Sequence, residues 1–253
     1  MSKNKVDVHG SPDDRGEGSG VPGKNAGPSA GGATAGNEDI AELERLIDHT
    51  LLKPDATREQ IGRLVDEALR YRFRAVCVNS GWAAFCGERL RGSDVSLAVV
   101  TGFPLGAMAS EIKAAEARFA VEAGADEIDM VMNIGALKGD ELDLVREDIR
   151  AVTRAAGGAT IKVIIETVLL SDEQKVRACR CAQEAGAAFV KTSTGFAGGG
   201  ATVEDVALMR RTVGSEVKVK ASGGIRSRED ALAMLRAGAD RLGTSAGVAI
   251  VTG

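Results

Sequence analysis

Lys191 lies in the segment Phe189-Val190-Lys191-Thr192-Ser193-Thr194-Gly195-Phe196, an apolar run that carries a lysine and then gives way to small hydroxyl residues and a glycine. An apolar setting disfavours the charged form of an amine, because ionisation there forfeits solvation, and a neutral amine can attack a carbonyl. A single lysine at a strand end more often reaches for water along its aliphatic stem, so its meaning depends on company. Other apolar segments supply that company: Asp48, Asp129 with Asn133, Lys162 with Glu166, and Lys218 with Lys220, together with the polar strand ends Asn79, Thr101 and Ser245. Alternate residues of a strand share a face, which aligns Asp129 with Val131 and Asn133, Lys191 with Ser193, and Lys218 with Lys220 and Ser222. Charges on at least four strands facing one interior are hard to explain by packing, since an unpaired buried charge is costly.

The chemistry follows from the residue types. A second ammonium close to a lysine depresses its pKa, so Lys191 and Lys220 form a candidate nucleophile and its activator. An imine on Lys191 then needs a proton shuttle at the carbon alpha to it, and Asp129 is the candidate, acting directly or through a water. Asp48 either completes that relay or only orients the lysine. Lys162 and Glu166 read as a mutually neutralising pair. Ser222-Gly223-Gly224-Ile225-Arg226 and Gly243-Thr244-Ser245 place glycines and hydroxyls directly after two consecutive strands, an arrangement that binds phosphate through backbone N–H groups. Gly198-Gly199-Gly200 reads as a flexible connection.

Elements must hold these residues in one place. Capping-box signatures at Thr57/Gln60 and Ser171/Gln174 open two helices, and Ile61, Leu64, Val65, Ala68 and Leu69 mark an apolar helical face. Ser110, Asp140, Thr202 and Ser227 are the expected openings of four more, Gly81 to Arg91 reads as a weaker helix, and Ile40 to Leu46 as a short one. Ala123-Gly124-Ala125, Ala185-Gly186-Ala187 and Ala237-Gly238-Ala239 recur at intervals of about 50 to 60 residues, each ending a helix and leading into a strand. Eight strands alternate with helices from Ile47 onward, the number a (β/α)8 TIM barrel needs. An open doubly wound sheet is the rival, but the glycine-rich phosphate turn it usually shows after its first strand is missing here. The expected organisation is a disordered N-terminal extension over residues 1–37, poor in large apolar side chains, followed by one α/β barrel domain over residues 38–253.

The formal net charge of -4, without a basic cluster, points away from nucleic acid and from a membrane surface. No apolar stretch suits a signal peptide or a membrane span, so a cytoplasmic location is expected. Cys77, Cys86, Cys179 and Cys181 lack the spacing of a zinc site and read as reduced, buried thiols. His9 falls in the extension, which leaves His49 alone in the folded part and argues against a His-rich metal site or a Ser-His-Asp triad.

Five stretches together resemble deoxyribose-phosphate aldolase, a class I aldolase family. They are Leu46-Ile47-Asp48-His49-Thr50, Asp126 to Val131, Lys162 to Thr167, Lys191 to Phe196 and Lys218 to Arg226. The resemblance runs from about Ile40 to Gly253. It implies a barrel enzyme with no metal and no cofactor that reversibly cleaves 2-deoxy-D-ribose 5-phosphate to acetaldehyde and D-glyceraldehyde 3-phosphate in deoxyribonucleoside catabolism. By position it makes Lys191 the Schiff-base lysine, Lys220 the lysine that perturbs its pKa, and Asp129 the proton-transfer carboxylate. Asp48 and Lys162 match further active-site residues. Cys77, Thr194, Gly195, Gly223, Gly224, Gly243 and Ser245 match positions near the substrate or its phosphate. Two departures stand out: Phe196 occupies a place where some members carry a phosphate-binding lysine, and Val251-Thr252-Gly253 stands where some end in a tyrosine-bearing tail. A homo-oligomer, dimer or higher, is compatible with the resemblance. A different Schiff-base aldolase or transaldolase, and an inactive phosphosugar-binding barrel, are the competing readings; retention of both Lys191 and Lys220 argues against the second, because binding alone does not call for a deprotonated amine.

Overall fold

A computed structural model describes residues 42–253. The extension expected over 1–37 lies outside the described residues, as does the start of the helix expected from Ile40; its remainder is a 3-10 turn over Leu43–Leu46.

Eight parallel strands close into a barrel in sequence order. They are β1 (Ile47–Leu51), β2 (Ala75–Val78), β3 (Ser96–Thr101), β4 (Glu127–Val131), β5 (Thr160–Ile164), β6 (Phe189–Lys191), β7 (Lys218–Ser222) and β8 (Arg241–Thr244). Around them lie helices α1 (Arg58–Tyr71), α2 (Ala83–Leu90), α3 (Ser110–Glu122), α4 (Ile134–Lys138), α5 (Leu142–Ala155), α6 (Asp172–Glu184), α7 (Val203–Val213), α8 (Arg228–Arg236) and α9 (Gly247–Thr252). Both capping boxes form as expected, and Ser227 with Asp230 makes a third. Thr202 caps α7 through the N–H of Asp205. The recurring Gly124, Gly186 and Gly238 follow their helices with φ of 106°, 85° and 109°, a region a side chain would strain, which is why the Ala-Gly-Ala repeat marks the turns into β4, β6 and β8.

Several boundaries differ from expectation. Ser110 is the first residue of α3 rather than its cap, and its N-cap is Ala109. Asp140 has φ of 61° and precedes α5, which begins at Leu142. The strand expected to reach Asn133 ends at Val131, because the Asn133 side chain accepts from the N–H of Ala136 and caps the short helix α4. That helix and α9 give no apolar periodicity long enough to be read from the chain.

The apolar core divides in two. The larger part fills the space between strands and helices, with Ile61, Val65, Ile128, Ile149, Val163 and Leu242 among its members. The smaller lies in the barrel interior on the β1–β3 side and consists of Leu52, Ala75, Cys77, Ala98 and Val100, with Phe103 packed on it. Apart from Asp48 of β1, the interior charges lie on the other side, on β4 to β8, with Val131, Ile164 and Phe189 on the same strands. None of the helices among the described residues is long and apolar enough to cross a membrane.

Among the described residues, an ion pair is buried outside the barrel. Lys113 of α3 donates to Asp148 of α5 at 2.6 Å and to the carbonyl of Val131, the last residue of β4, at 3.0 Å. Both side chains are withdrawn from solvent. Breaking such a pair leaves an uncompensated buried charge, at a cost of about 3–5 kcal/mol. Asp148→Ala is accordingly expected to lower unfolding free energy in urea by about that amount, whereas removing Glu147 from its exposed pair with Arg150 should cost less than about 1 kcal/mol.

Candidate active site

Strand register sets the site. Asp129 lies beside Lys162, and Lys191 beside Lys220, which in turn lies beside Arg241. Asp48 lies beside Gly243 across the β1–β8 seam that closes the barrel. All of these side chains except that of Gly243 carry charge, and the five lysine and aspartate members are at most 3% exposed.

Asp129 is the hub. Its Oδ1 accepts from Lys162 at 2.6 Å, and its Oδ2 accepts from both Lys191 and Lys220 at 2.7 Å. Lys220 also donates to Asp48 Oδ2 at 2.5 Å. Asp48 Oδ1 is held from below by Arg241, through Nε at 2.9 Å and Nη2 at 2.5 Å, and the same Nη2 reaches Glu127 at 2.9 Å. Glu127 closes the circuit on Lys162 at 2.5 Å. The interior thus holds four cations against three carboxylates.

That imbalance bears most on Lys191. Burial lowers its pKa, Asp129 opposes the shift and Lys220 adds to it, and the net displacement is downward from the ordinary lysine value. Lys220 moves the other way: burial would lower its pKa, but Asp129 and Asp48 together raise it, so it stays an ammonium. Asp129 and Asp48 are both held below the usual carboxylate range, since their cations outweigh the burial that would raise them. Deprotonation of Lys191 would leave three cations facing three carboxylates. Cys77 faces the same interior, and burial raises its pKa, which keeps the thiol protonated.

The mouth above this network is a cavity of about 500 Å³. Lys191 lines it, with Thr194, Gly195, Gly223, Gly224 and Ser245 among the walls. The β6 loop is built by Glu166, in a left-handed conformation with φ of 54°, whose carboxylate accepts from the N–H and the hydroxyl of Thr194. The Gly198–Gly200 segment, expected as a loose connection, is packed: Ala201 N–H donates to Ser222 and Gly223 carbonyls at 3.0 Å, and a side chain on Gly200 would meet the Gly223 carbonyl at 2.3 Å. Thr244 donates to the Ile225 carbonyl at 2.7 Å, tying the β7 and β8 loops together. Gly243 lines the cavity but sits within β8, where a Cβ would press on Lys220 Cε at 3.1 Å, so its smallness makes room for that lysine.

The structure brings together Asp48, Asp129, Lys162, Lys191 and Lys220, with Cys77 beside them. It separates others. Lys162 does not pair with Glu166; it turns to Asp129 and Glu127 while Glu166 shapes the next loop. Lys218 is exposed at the opposite end of β7, over the Phe189 ring at 5.7 Å, because a strand has two ends and only its last residues reach the mouth. Asn133 caps α4, and Asn79 donates to the Leu52 carbonyl at 3.2 Å. Glu127 and Arg241 were not singled out from the chain, although Glu127 precedes Asp129 by two and shares its face, and Arg241 is a charge inside an apolar strand. His49 points away from the site and pairs with Glu67 at 2.7 Å. Among the described residues, no three His, Cys, Asp or Glu side chains are grouped so as to hold a metal ion.

The model of the DeoC/LacD aldolase family matches residues 44–251. The chain belongs to that family. Within it, the chain is 61% identical over 212 residues to the deoxyribose-phosphate aldolase of Streptococcus sanguinis, covering 84% of this chain and 96% of that one. It is 58% identical over 213 residues to the enzyme of the same name from Enterococcus faecalis, covering 84% and 97%. The solved structure of deoxyribose phosphate aldolase from Aeropyrum pernix, described as a unique tetramer, superposes with a TM-score of 0.79 at 36% identity, covering 83% of this chain and 89% of that one. The barrel is therefore that of a DeoC/LacD family member.

The network makes a prediction about stability. Arg241→Met leaves Asp48 and Glu127 short of a cation and is expected to cost about 3–5 kcal/mol in urea unfolding. Lys191→Met removes the cation in excess, with Lys162 and Lys220 still on Asp129, and is expected to cost markedly less in the same measurement.

Proposed function

We propose that the protein is a deoxyribose-phosphate aldolase, a lyase that reversibly cleaves 2-deoxy-D-ribose 5-phosphate to acetaldehyde and D-glyceraldehyde 3-phosphate through an imine on Lys191. The observation that carries the reading is the pairing of a lysine of lowered pKa with a neighbouring lysine of raised pKa on one carboxylate oxygen. One amine is free to attack while the other holds a proton to give.

In the cleavage direction, neutral Lys191 adds to the C1 aldehyde of the open sugar, and loss of water gives a protonated imine. The C3 hydroxyl loses its proton, the C2–C3 bond breaks, and its electron pair moves to the imine nitrogen as an enamine. D-glyceraldehyde 3-phosphate leaves. A proton returned to C2 and addition of water to the imine then release acetaldehyde and free Lys191. Asp129, ionised at rest, begins as a proton acceptor, and the Lys220 ammonium on the same oxygen supplies the proton passed toward C2, directly or through a water. Asp48 holds Lys220 in place and Lys162 holds Asp129. Cys77 lies against the two-carbon end of the substrate. Thr194, Gly195, Gly223, Gly224 and Ser245 form the wall that receives the phosphate, largely through backbone N–H groups. No metal or cofactor enters any of these steps.

Two further features belong to the same reading. The enzyme works in the cytoplasm, in keeping with four buried cysteines that form no disulfide. It associates with copies of itself, as a dimer or higher: Leu105, Ile112 and Phe119 expose apolar side chains on α3 and the loop before it. Nucleic acid and membranes are not partners.

Borohydride added with acetaldehyde in the presence of EDTA is expected to trap a reduced two-carbon adduct on Lys191, found by peptide mass spectrometry and missing in Lys191→Ala. Asp129→Asn should lower kcat by about 10²- to 10⁴-fold, the range of a positioned acid-base group. An adduct on Lys220 with Lys191→Ala still active would refute the assignment.

A further inference from the structure

The cavity wall holds no carboxylate, and its basic side chains are Lys53, Lys191 and Arg226. A sugar phosphate brings close to two negative charges to the mouth, and backbone N–H groups alone leave that charge without a formal counter-charge. Lys191 is already tied to Asp129 at the base of the cavity. Arg226 stands at the head of α8, where its backbone N–H donates to the Asp230 carboxylate at 2.9 Å and that carboxylate also feels the charge of its side chain. Lys53 is different: it is exposed on the rim, two residues beyond β1, and among the described residues no carboxylate pairs with it.

Its place in the barrel is suited to the task. β1 pairs with β8 and β8 with β7, so the β1 loop flanks the glycine-bearing β7 and β8 loops on one side, and the β6 loop flanks them on the other. On the β6 side the wall is Phe196, whose ring meets Phe103 edge-on at 5.2 Å and offers no charge. On the β1 side the backbone carrying Lys53 is fixed at two successive carbonyls. Leu52 O accepts from the Asn79 side chain at 3.2 Å, and Lys53 O accepts from Ala56 N–H at 3.2 Å. A lysine on a pinned turn, unpaired and facing a cavity free of carboxylates, is arranged to meet an anion rather than a protein partner.

We propose that Lys53 supplies the side-chain charge that selects the phosphorylated sugar, with Asn79 as the residue that positions its turn. The proposal rests on the aldolase reading of the same site. Its test is the ratio of kcat/KM for 2-deoxy-D-ribose 5-phosphate to that for unphosphorylated 2-deoxy-D-ribose. A hydrogen bond to a charged group changes binding by about tenfold or more, so Lys53→Gln is expected to lower this ratio about tenfold. The loss should fall on KM for the phosphorylated sugar rather than on kcat. Lys53→Arg should keep the ratio within about twofold of the original, and Asn79→Ala should lower it in the same direction as Lys53→Gln. The KM of the unaltered enzyme for the phosphorylated sugar should rise with salt more steeply than that of Lys53→Gln. An unchanged ratio in Lys53→Gln, with the unaltered enzyme discriminating normally, overturns the proposal alone. An unaltered enzyme that cleaves neither sugar overturns the proposal and the substrate reading together.

Discussion

Three lysines share one carboxylate. Asp129 accepts from Lys162 on one oxygen and from Lys191 and Lys220 on the other, and the rest of the interior is arranged so that this concentration of positive charge is tolerable. Asp48 and Glu127 supply the remaining negative charge, and Arg241 ties those two together beneath the hub. Burial makes each unmatched charge expensive. Burial and the neighbouring Lys220 ammonium shift Lys191 toward its uncharged form, the state in which an amine is a nucleophile. Stability and reactivity therefore ask the same thing of this residue.

The barrel serves that constraint. Register pairs Lys191 with Lys220 and Lys162 with Asp129, and an eight-strand closure brings Asp48 of the first strand against the last. The apolar side of the interior, built from Ala75, Cys77, Ala98 and Val100, keeps water away from one flank of the network. Gly243 in β8 leaves the space through which Lys220 passes, and Glu166 bends the chain after β5 so that Thr194 and the β6 loop stand over Lys191. The polar atoms at the mouth come from loops, those of the interior from strands, and the two sets meet at Lys191.

Much of this was legible in the chain, for identifiable reasons. Alternation along short apolar strands put Asp129, Lys191 and Lys220 on the inner face, and the recurring Ala-Gly-Ala turns gave the spacing of the βα units. What could not be read was pairing between strands distant in sequence. Lys162 looked like the partner of Glu166 because both fall at the end of one apolar segment, yet inside a barrel its nearest carboxylates belong to β4, and Glu166 lies beyond the strand. Lys218 looked like a companion of Lys220 because they share a face, but depth along the strand places it at the far end. Glu127 and Arg241 do not line the cavity, and only the closed barrel reveals them as counter-charges. The short helix capped by Asn133 was invisible for a local reason, since five residues carry too little periodicity to register.

The claim on which this account turns is that the network lowers the pKa of Lys191 and raises that of Lys220. It can be read directly by following lysine side-chain ¹³Cε and ¹⁵Nζ resonances as pH is raised, with Lys191→Met and Lys220→Met supplying the assignments. The account predicts that Lys191 loses its proton below the pH at which exposed lysines do, while Lys220 remains protonated past it. A Lys220 resonance that titrates before Lys191 would contradict it.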